Sequence, residues 1–385
     1  VGTDATGMAG LRNEGNGIRL SSNLSTIVGG TVAGAGNVIS GNNNSGTTAD
    51  GIYITGGGSH TVQGNYLGLA QDGSTVLGNY SSGVAINSST NNLIGGTTTA
   101  ARNVISGNDI GVSIVGVSSS NTVVGNYIGT DATGMLDGGN ATDGVIIGSG
   151  STGNTIGGTT VNDRNIISGN DNDGIWITGS GTDANTVQGN WIGLDSAGGA
   201  LGNSYHGIGV QNGASDNLIG GTSAGDGNTI ANNAWDGIST NNTSTGNTFI
   251  GNSIYDNGNL GIDIEAGSED ANGVTANDAD DADTGANDLQ NYPVITQADI
   301  IGTDLTLSGT LDTDGLSTQY RIEFYGNAAG TTDATNGEGR VYLGSTTVTT
   351  DGSGDASFSN VTLSGVSLIV GDYVTATVTR ITDPA

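Results

Sequence analysis

Asp173, His206 and Asp236 each stand immediately before a glycine and an isoleucine, and Trp176, Tyr205 and Trp235 lie within a few residues of them. A histidine between two carboxylates can move a proton, and paired carboxylates beside aromatic rings are what cleavage of a glycosidic bond needs. The same position in earlier parts of the chain holds Asn16, Asp50, Ser82, Ile110 and Asp143. If successive occurrences stack one strand apart, Asp143 and Asp173 lie ~5 Å from each other and Asp173 and Asp236 ~10 Å, near retaining and inverting separations respectively. The bland alternative is that Asp-Gly pairs are turn formers that punctuate a repeat.

That repeat dominates the first two thirds of the sequence. NVISGN at 37–42 returns unchanged at 103–108, as NIISGN from Asn165 and as NTIANN from Asn228. GNYLG from Gly64 returns as GNYIG from Gly125 and GNWIG from Gly189, so each long repeat holds two similar coils. Each coil reads as three short strands. The first alternates apolar residues, as in Ile52 and Ile54 or Ile175 and Ile177. The second supplies Ile27, Val62, Leu93, Val123, Thr155, Val187, Leu218 and Phe249 as inward residues. The third starts on Asn37, Asn65, Asn103, Asn126, Asn165, Asn190, Asn228 or Asn252, which predicts an internal asparagine ladder, with an apolar residue two places later. One coil cannot bury its apolar side alone, but stacked coils share a narrow core, and about nine rungs make a rod of roughly 40 Å.

Composition fits this reading. Of 385 residues 72 are Gly, 2 are Pro and none is Cys, and hydrophobic residues make up only 34%. Glycine then serves the corners, and few apolar residues suffice for a thin core. The net charge is −30, all seven basic residues are arginine, and no basic stripe exists to neutralise phosphates, so nucleic acid is excluded as a partner. No apolar run is long enough to insert into a membrane as a helix. The acidic, cysteine-free, lysine-free composition points to an extracellular or cell-surface protein in a cation-rich medium.

The GIYI, TVQGNYLG, NLIGG and NVISGN words resemble the right-handed parallel β-helix repeats of the pectin-lyase-like superfamily, and more closely the Gly/Asn-rich repeats of large secreted bacterial surface proteins. The resemblance covers about residues 1–264. It implies an all-β fold, a right-handed parallel β-helix of about nine coils with three short strands each. For function it leaves lyases, hydrolases, tailspikes, adhesins and stalks open. YHG from Tyr205 resembles the histidine motif of β-helix polygalacturonases, whereas their paired aspartates and basic subsite motif find no match, and Arg102 and Arg164 sit in a different loop family.

Three regions follow: 1–265 as the β-helix, 266–292 as an acidic linker and 293–385 as a terminal sandwich. In the linker Asp278, Asp280, Asp281, Asp283 and Asp288 are hard oxygen ligands suited to Ca²⁺, against the reading of a solvated tether. Beyond it, strands such as DLTLSGTLD, QYRIEFYGN and DYVTATVTRI indicate an antiparallel sandwich, and NDLQNYP through RIEFYGN to GSTTVTTDGSG resembles an immunoglobulin-like module. The recurring loops GTDATG, GLAQDG and GLDSAG present Asp4, Asp131 and Asp195, which suit Ca²⁺, glycan or plain turn formation. VGTDATG at Val1 matches IGTDATG from Ile128, so the chain starts inside a coil, and copies joined head-to-tail through that open coil are one expected partner; glycans are the other. The leading expectation is a non-enzymatic surface stalk, adhesin or filament subunit. The alternative is a polysaccharide hydrolase or lyase using Asp173, His206 and Asp236, with Trp176, Tyr205 and Trp235 binding the sugar.

Overall fold

Short strands that each offer one or two inward residues can only be stable when copies lie above and below them, and the computed structural model stacks them that way. It describes all residues except 22, 23, 43–47, 242, 266–268, 270–272, 316, 332, 334–336 and 382–385. Three parallel sheets run the length of the solenoid in strict sequence order. The first has nine strands, from Ile18–Leu20 to Ile262–Ile264. The second and third have eight each, from Ile27–Gly29 to Thr248–Ile250 and from Val38–Ile39 to Ser253–Tyr255. Inward residues of all three sheets form one continuous core, and the expected residues Ile39, Leu67, Ile105, Ile128, Ile167, Ile192, Ile230 and Ile254 all belong to it.

The second sheet corrects the expected phase in alternate coils. Val28, Ile94, Ile156 and Ile219 point inward, not Ile27, Leu93, Thr155 and Leu218, and Ile27 is 66% exposed. Pairing decides this, because Val28 stands opposite Val62, Ile94 opposite Val123, Ile156 opposite Val187 and Ile219 opposite Phe249. A one-residue slip would turn every side chain of the strand to the other face. The strands of those coils end on Gly29, Gly95, Gly157 and Gly220, all at positive φ, where a Cβ would stand 1.9 to 2.0 Å from a carbonyl oxygen of the adjacent coil.

The expected asparagine ladder is present, and it is one of three. In each link of the expected ladder the backbone N–H and the side-chain amide of one asparagine both donate to Oδ1 of the asparagine in the next coil, as Asn126 does to Asn165 at 2.9 and 3.1 Å. A second ladder runs through Asn13, Asn42, Asn79, Asn108, Asn140, Asn170, Asn203, Asn233 and Asn257. A third links Asn92, Asn121, Asn154, Asn185, Asn217 and Asn247. At the corresponding place one coil earlier stands His60, fully buried, with neither ring nitrogen hydrogen bonded.

After two short 3-10 turns, Ala279–Asp281 and Ala286–Leu289, two three-stranded antiparallel sheets follow. Their order is Val294–Ile301, Asp304–Asp312, Asp355–Ser364 in one and Val341–Thr349, Gln319–Asn327, Tyr373–Arg380 in the other, around a core that includes Leu307, Tyr320, Ile322, Phe324 and Phe358. This unit and the linker occupy the place of a further coil. Glu338 Oε1 accepts from both the backbone and the side-chain amide of Asn257, at 2.9 and 2.8 Å, as the next asparagine of the ladder would. Asn287 Oδ1 receives Asn247 N–H, Asp333 Oδ1 receives Asp256 N–H and Glu323 Oε2 receives Gly251 N–H. Ile254 and Gly339 exchange backbone hydrogen bonds at 2.9 Å. Exposed donors of the last strand edge are thereby closed. A second copy stacked on this end would have to displace Glu338 and Gly339. Among the described residues no helix is long and apolar enough to cross a membrane.

Candidate functional site

The position before each first-sheet strand lies where the chain turns into the sheet, so its side chain reaches along the axis to the neighbouring coil. The backbone N–H groups of Asp50, Ser82, Asp173, His206 and Leu260 donate to side-chain oxygens of Asn16, Asp50, Asp143, Asp173 and Asp236, at 2.8 to 3.1 Å. These bonds make a fourth axial file, interrupted at Ile110, beside the three asparagine ladders. Within it His206 Nδ1 lies 3.0 Å from Asp236 Oδ2, with both side chains buried. Asp173 is 3% exposed, and burial pushes its carboxyl up to about 7; positive charge on His206 opposes that rise and negative charge on Asp143 adds to it. Burial likewise raises Asp50 and Asp143.

The aromatic residues gather on the same side. The Tyr205 and Trp235 rings are 4.6 Å apart, and Tyr205 meets His206 edge-on at 4.1 Å. Burial raises the Tyr205 phenol first, followed by the charges of Asp173, Glu265 and Asp236. Trp176 stands on the outer face of the first sheet, paired across the ladder with Gly209. The space that a side chain on Gly209 would fill is taken by Trp176 and by Asp173 Oδ2, whose atoms lie 3.3 and 3.0 Å from a Cβ built there. Further along that face, Ser239 pairs with Asp263.

Asp263 was missed by sequence reasoning, and it belongs to this group. Burial pushes its carboxyl up to about 7, and negative charge on Asp236, Glu269 and Glu265 adds to the rise. Its signal was available: in GIDIE the residue sits between inward Ile262 and Ile264, as Trp176 sits between Ile175 and Ile177, and so it must face out. Glu265 follows, held by a hydrogen bond from Ser239 Oγ at 2.8 Å.

In the linker the structure brings together three of the five proposed metal ligands. One carboxylate oxygen each from Asp278, Asp281 and Asp283 lie within 4.8 Å of one another. Burial pushes Asp281 up to about 6, the N–H of Asn291 opposing, and Asp283 Oδ1 is buried without a hydrogen bond. Asp280 turns elsewhere, its N–H donating to Asp312 Oδ2, and Asp288 falls outside the group.

The loop aspartates are engaged within their own loops. Asp4 Oδ1 receives the N–H groups of Met8 and Ala9, Asp131 Oδ1 those of Met135 and Leu136, and Asp195 Oδ1 those of Ala197 and Gly199. Arg102 and Arg164 stack on Tyr127 and Trp191, on the third sheet, apart from the Asp173 group. No protein-family model matches this sequence, and no curated protein matches it.

Proposed function

We propose that this chain is a non-enzymatic structural and adhesive repeat protein of the cell exterior, akin to the stalks and adhesins built on pectin-lyase-like β-helices in secreted bacterial surface proteins. The observation that carries the reading is the use made of the candidate acids: Asp50, Asp143, Asp173 and Asp236 each commit a carboxylate oxygen to the backbone of the adjacent coil. Carboxyls that fix one coil to the next are part of the scaffold. The lysine-free surface and net charge of −30 support an exterior location.

A second reading, a polysaccharide-degrading enzyme, is favoured by one feature: Asp173 and Asp263 are both pushed up to about 7 beside the His206–Asp236 pair, which suits general acids. Acidic and neutral polysaccharides incubated with the wild type and with Asp173→Asn decide between them. We expect no cleavage by either; cleavage by the wild type that Asp173→Asn abolishes, with circular dichroism unchanged, would establish the enzyme.

Ca²⁺ is the proposed ligand of Asp278, Asp281 and Asp283, whose hard oxygens suit it. A bound ion at a hundred times its Kd stabilises by about 2.7 kcal/mol. Chelation of calcium-equilibrated protein is therefore expected to lower the Tm, and an unchanged Tm removes the ion from the description.

A further inference from the structure

We infer that the outer face of the last coils binds an amino sugar, with Tyr205 and Trp235 carrying the pyranose ring and Asp173 holding its ammonium group. This rests on the adhesive part of the proposed function and names the ligand class.

Three observations converge. Trp235 is 46% exposed and its ring lies 4.6 Å from that of Tyr205, forming a platform for the C–H face of a sugar. Beside it gather Asp173, Asp236 and Glu265, whereas the imidazole among them, His206, already faces Asp236 at 3.0 Å. A uronate would be repelled there, and a neutral sugar would leave the charge unanswered.

The third observation is a set of polar atoms that lack partners. Asp173, 3% exposed, uses Oδ1 for His206 N–H, while no hydrogen bond among the described residues reaches its Oδ2, which emerges over Gly209 beside Trp176. Trp176 Nε1 is buried without an acceptor. A 2-amino sugar supplies an ammonium donor for Asp173 Oδ2 and a hydroxyl oxygen for the indole N–H. A bare divalent ion would answer the carboxylates and leave the indole and the ring platform unused. A lysine peptide lacks the flat sugar face.

Calorimetric titration of the full chain with tetramers of glucosamine, N-acetylglucosamine and galacturonate tests this. The glucosamine tetramer is expected to bind at least about tenfold more tightly than its acetylated counterpart, the effect of losing one charged hydrogen bond. Galacturonate should not bind. Trp235→Ala and Asp173→Asn should each weaken glucosamine binding by a similar factor with the Tm retained. Equal binding of the acetylated or galacturonate tetramer, or unchanged affinity in Asp173→Asn, overturns the assignment. Sedimentation with insoluble cellulose, pectin and peptidoglycan separates the failures: retention on any of them without glucosamine binding overturns the amino sugar and leaves adhesion, and retention on none, with no tetramer bound, overturns both.

Discussion

The asparagine ladders and the acidic file run side by side along the same solenoid with the same device, a backbone N–H donating to a side-chain oxygen one coil away. They differ in what the side chain can return. An amide donates as well as accepts, so Asn165 takes both donors of Asn126 and passes its own Nδ2 protons to Val123 O and Asn190 Oδ1. A carboxylate only accepts, and carboxylates in successive coils repel each other while burial strips their water. The asparagine ladders therefore continue uninterrupted for many coils, whereas the file reads Asn16, Asp50, Ser82, Ile110, Asp143, Asp173, His206, Asp236 and tolerates only one pair of adjacent acids. Chemistry and pH dependence collect in the file that cannot satisfy itself.

Breaking a ladder should cost most. Asn165→Ala removes the acceptor of two buried donors and the donor to Val123 O, and each buried group left unpaired costs about 1–3 kcal/mol, so a loss of at least ~3 kcal/mol is expected in urea unfolding. A loss below ~1 kcal/mol would show that water replaces the amide and that the ladders are not what holds the coils in register.

The file should respond to pH in the opposite sense to ordinary acid denaturation. Burial pushes Asp173, in the file, and Asp263, beside its end, up to about 7 against 3.8 ordinarily, so the folded state holds their protons more tightly. Their contribution is full below pH ~4 and disappears as pH rises through 7. Glu338, pushed up to about 8 mainly by burial, extends the same trend. The urea midpoint should fall between pH 4.5 and 8, and Asp173→Asn, which keeps an oxygen for His206 N–H, should flatten that slope. An unchanged slope would remove Asp173 from the explanation.

The smallest effect sharpens the comparison from the other side. His60 occupies a third-ladder position with both ring nitrogens buried and unpaired. His60→Asn should let a side-chain amide reach Asn92 Oδ1 and raise stability by about 1 kcal/mol. A fall instead would mean that the packing of the imidazole outweighs one ladder link.

Much of this was legible in the words of the repeat. NVISGN carries one ladder on its first asparagine and a second on its last, yet only the first was read; Asn42 and Asn108 look like turn residues until coils are stacked. The His206–Asp236 pair and the Tyr205–Trp235 platform followed from position within the coil. Asp263 was hidden because its coil is the last, where the repeat gives way to the linker.

By itself the sequence determined the parallel three-strand coil, the inward residues of the first and third sheets and the antiparallel end, since these rest on period-two patterns and recurring asparagines within one coil. Tertiary structure alone decided the phase of the second sheet, because a strand such as Leu93–Gly95 offers two adjacent apolar residues and only the valine stacked against it selects Ile94. It also decided that Glu338, Asp333 and Glu323 close the last coil. Those carboxylates come from segments remote in sequence, and what binds them is the row of unpaired N–H groups that a solenoid exposes wherever it stops.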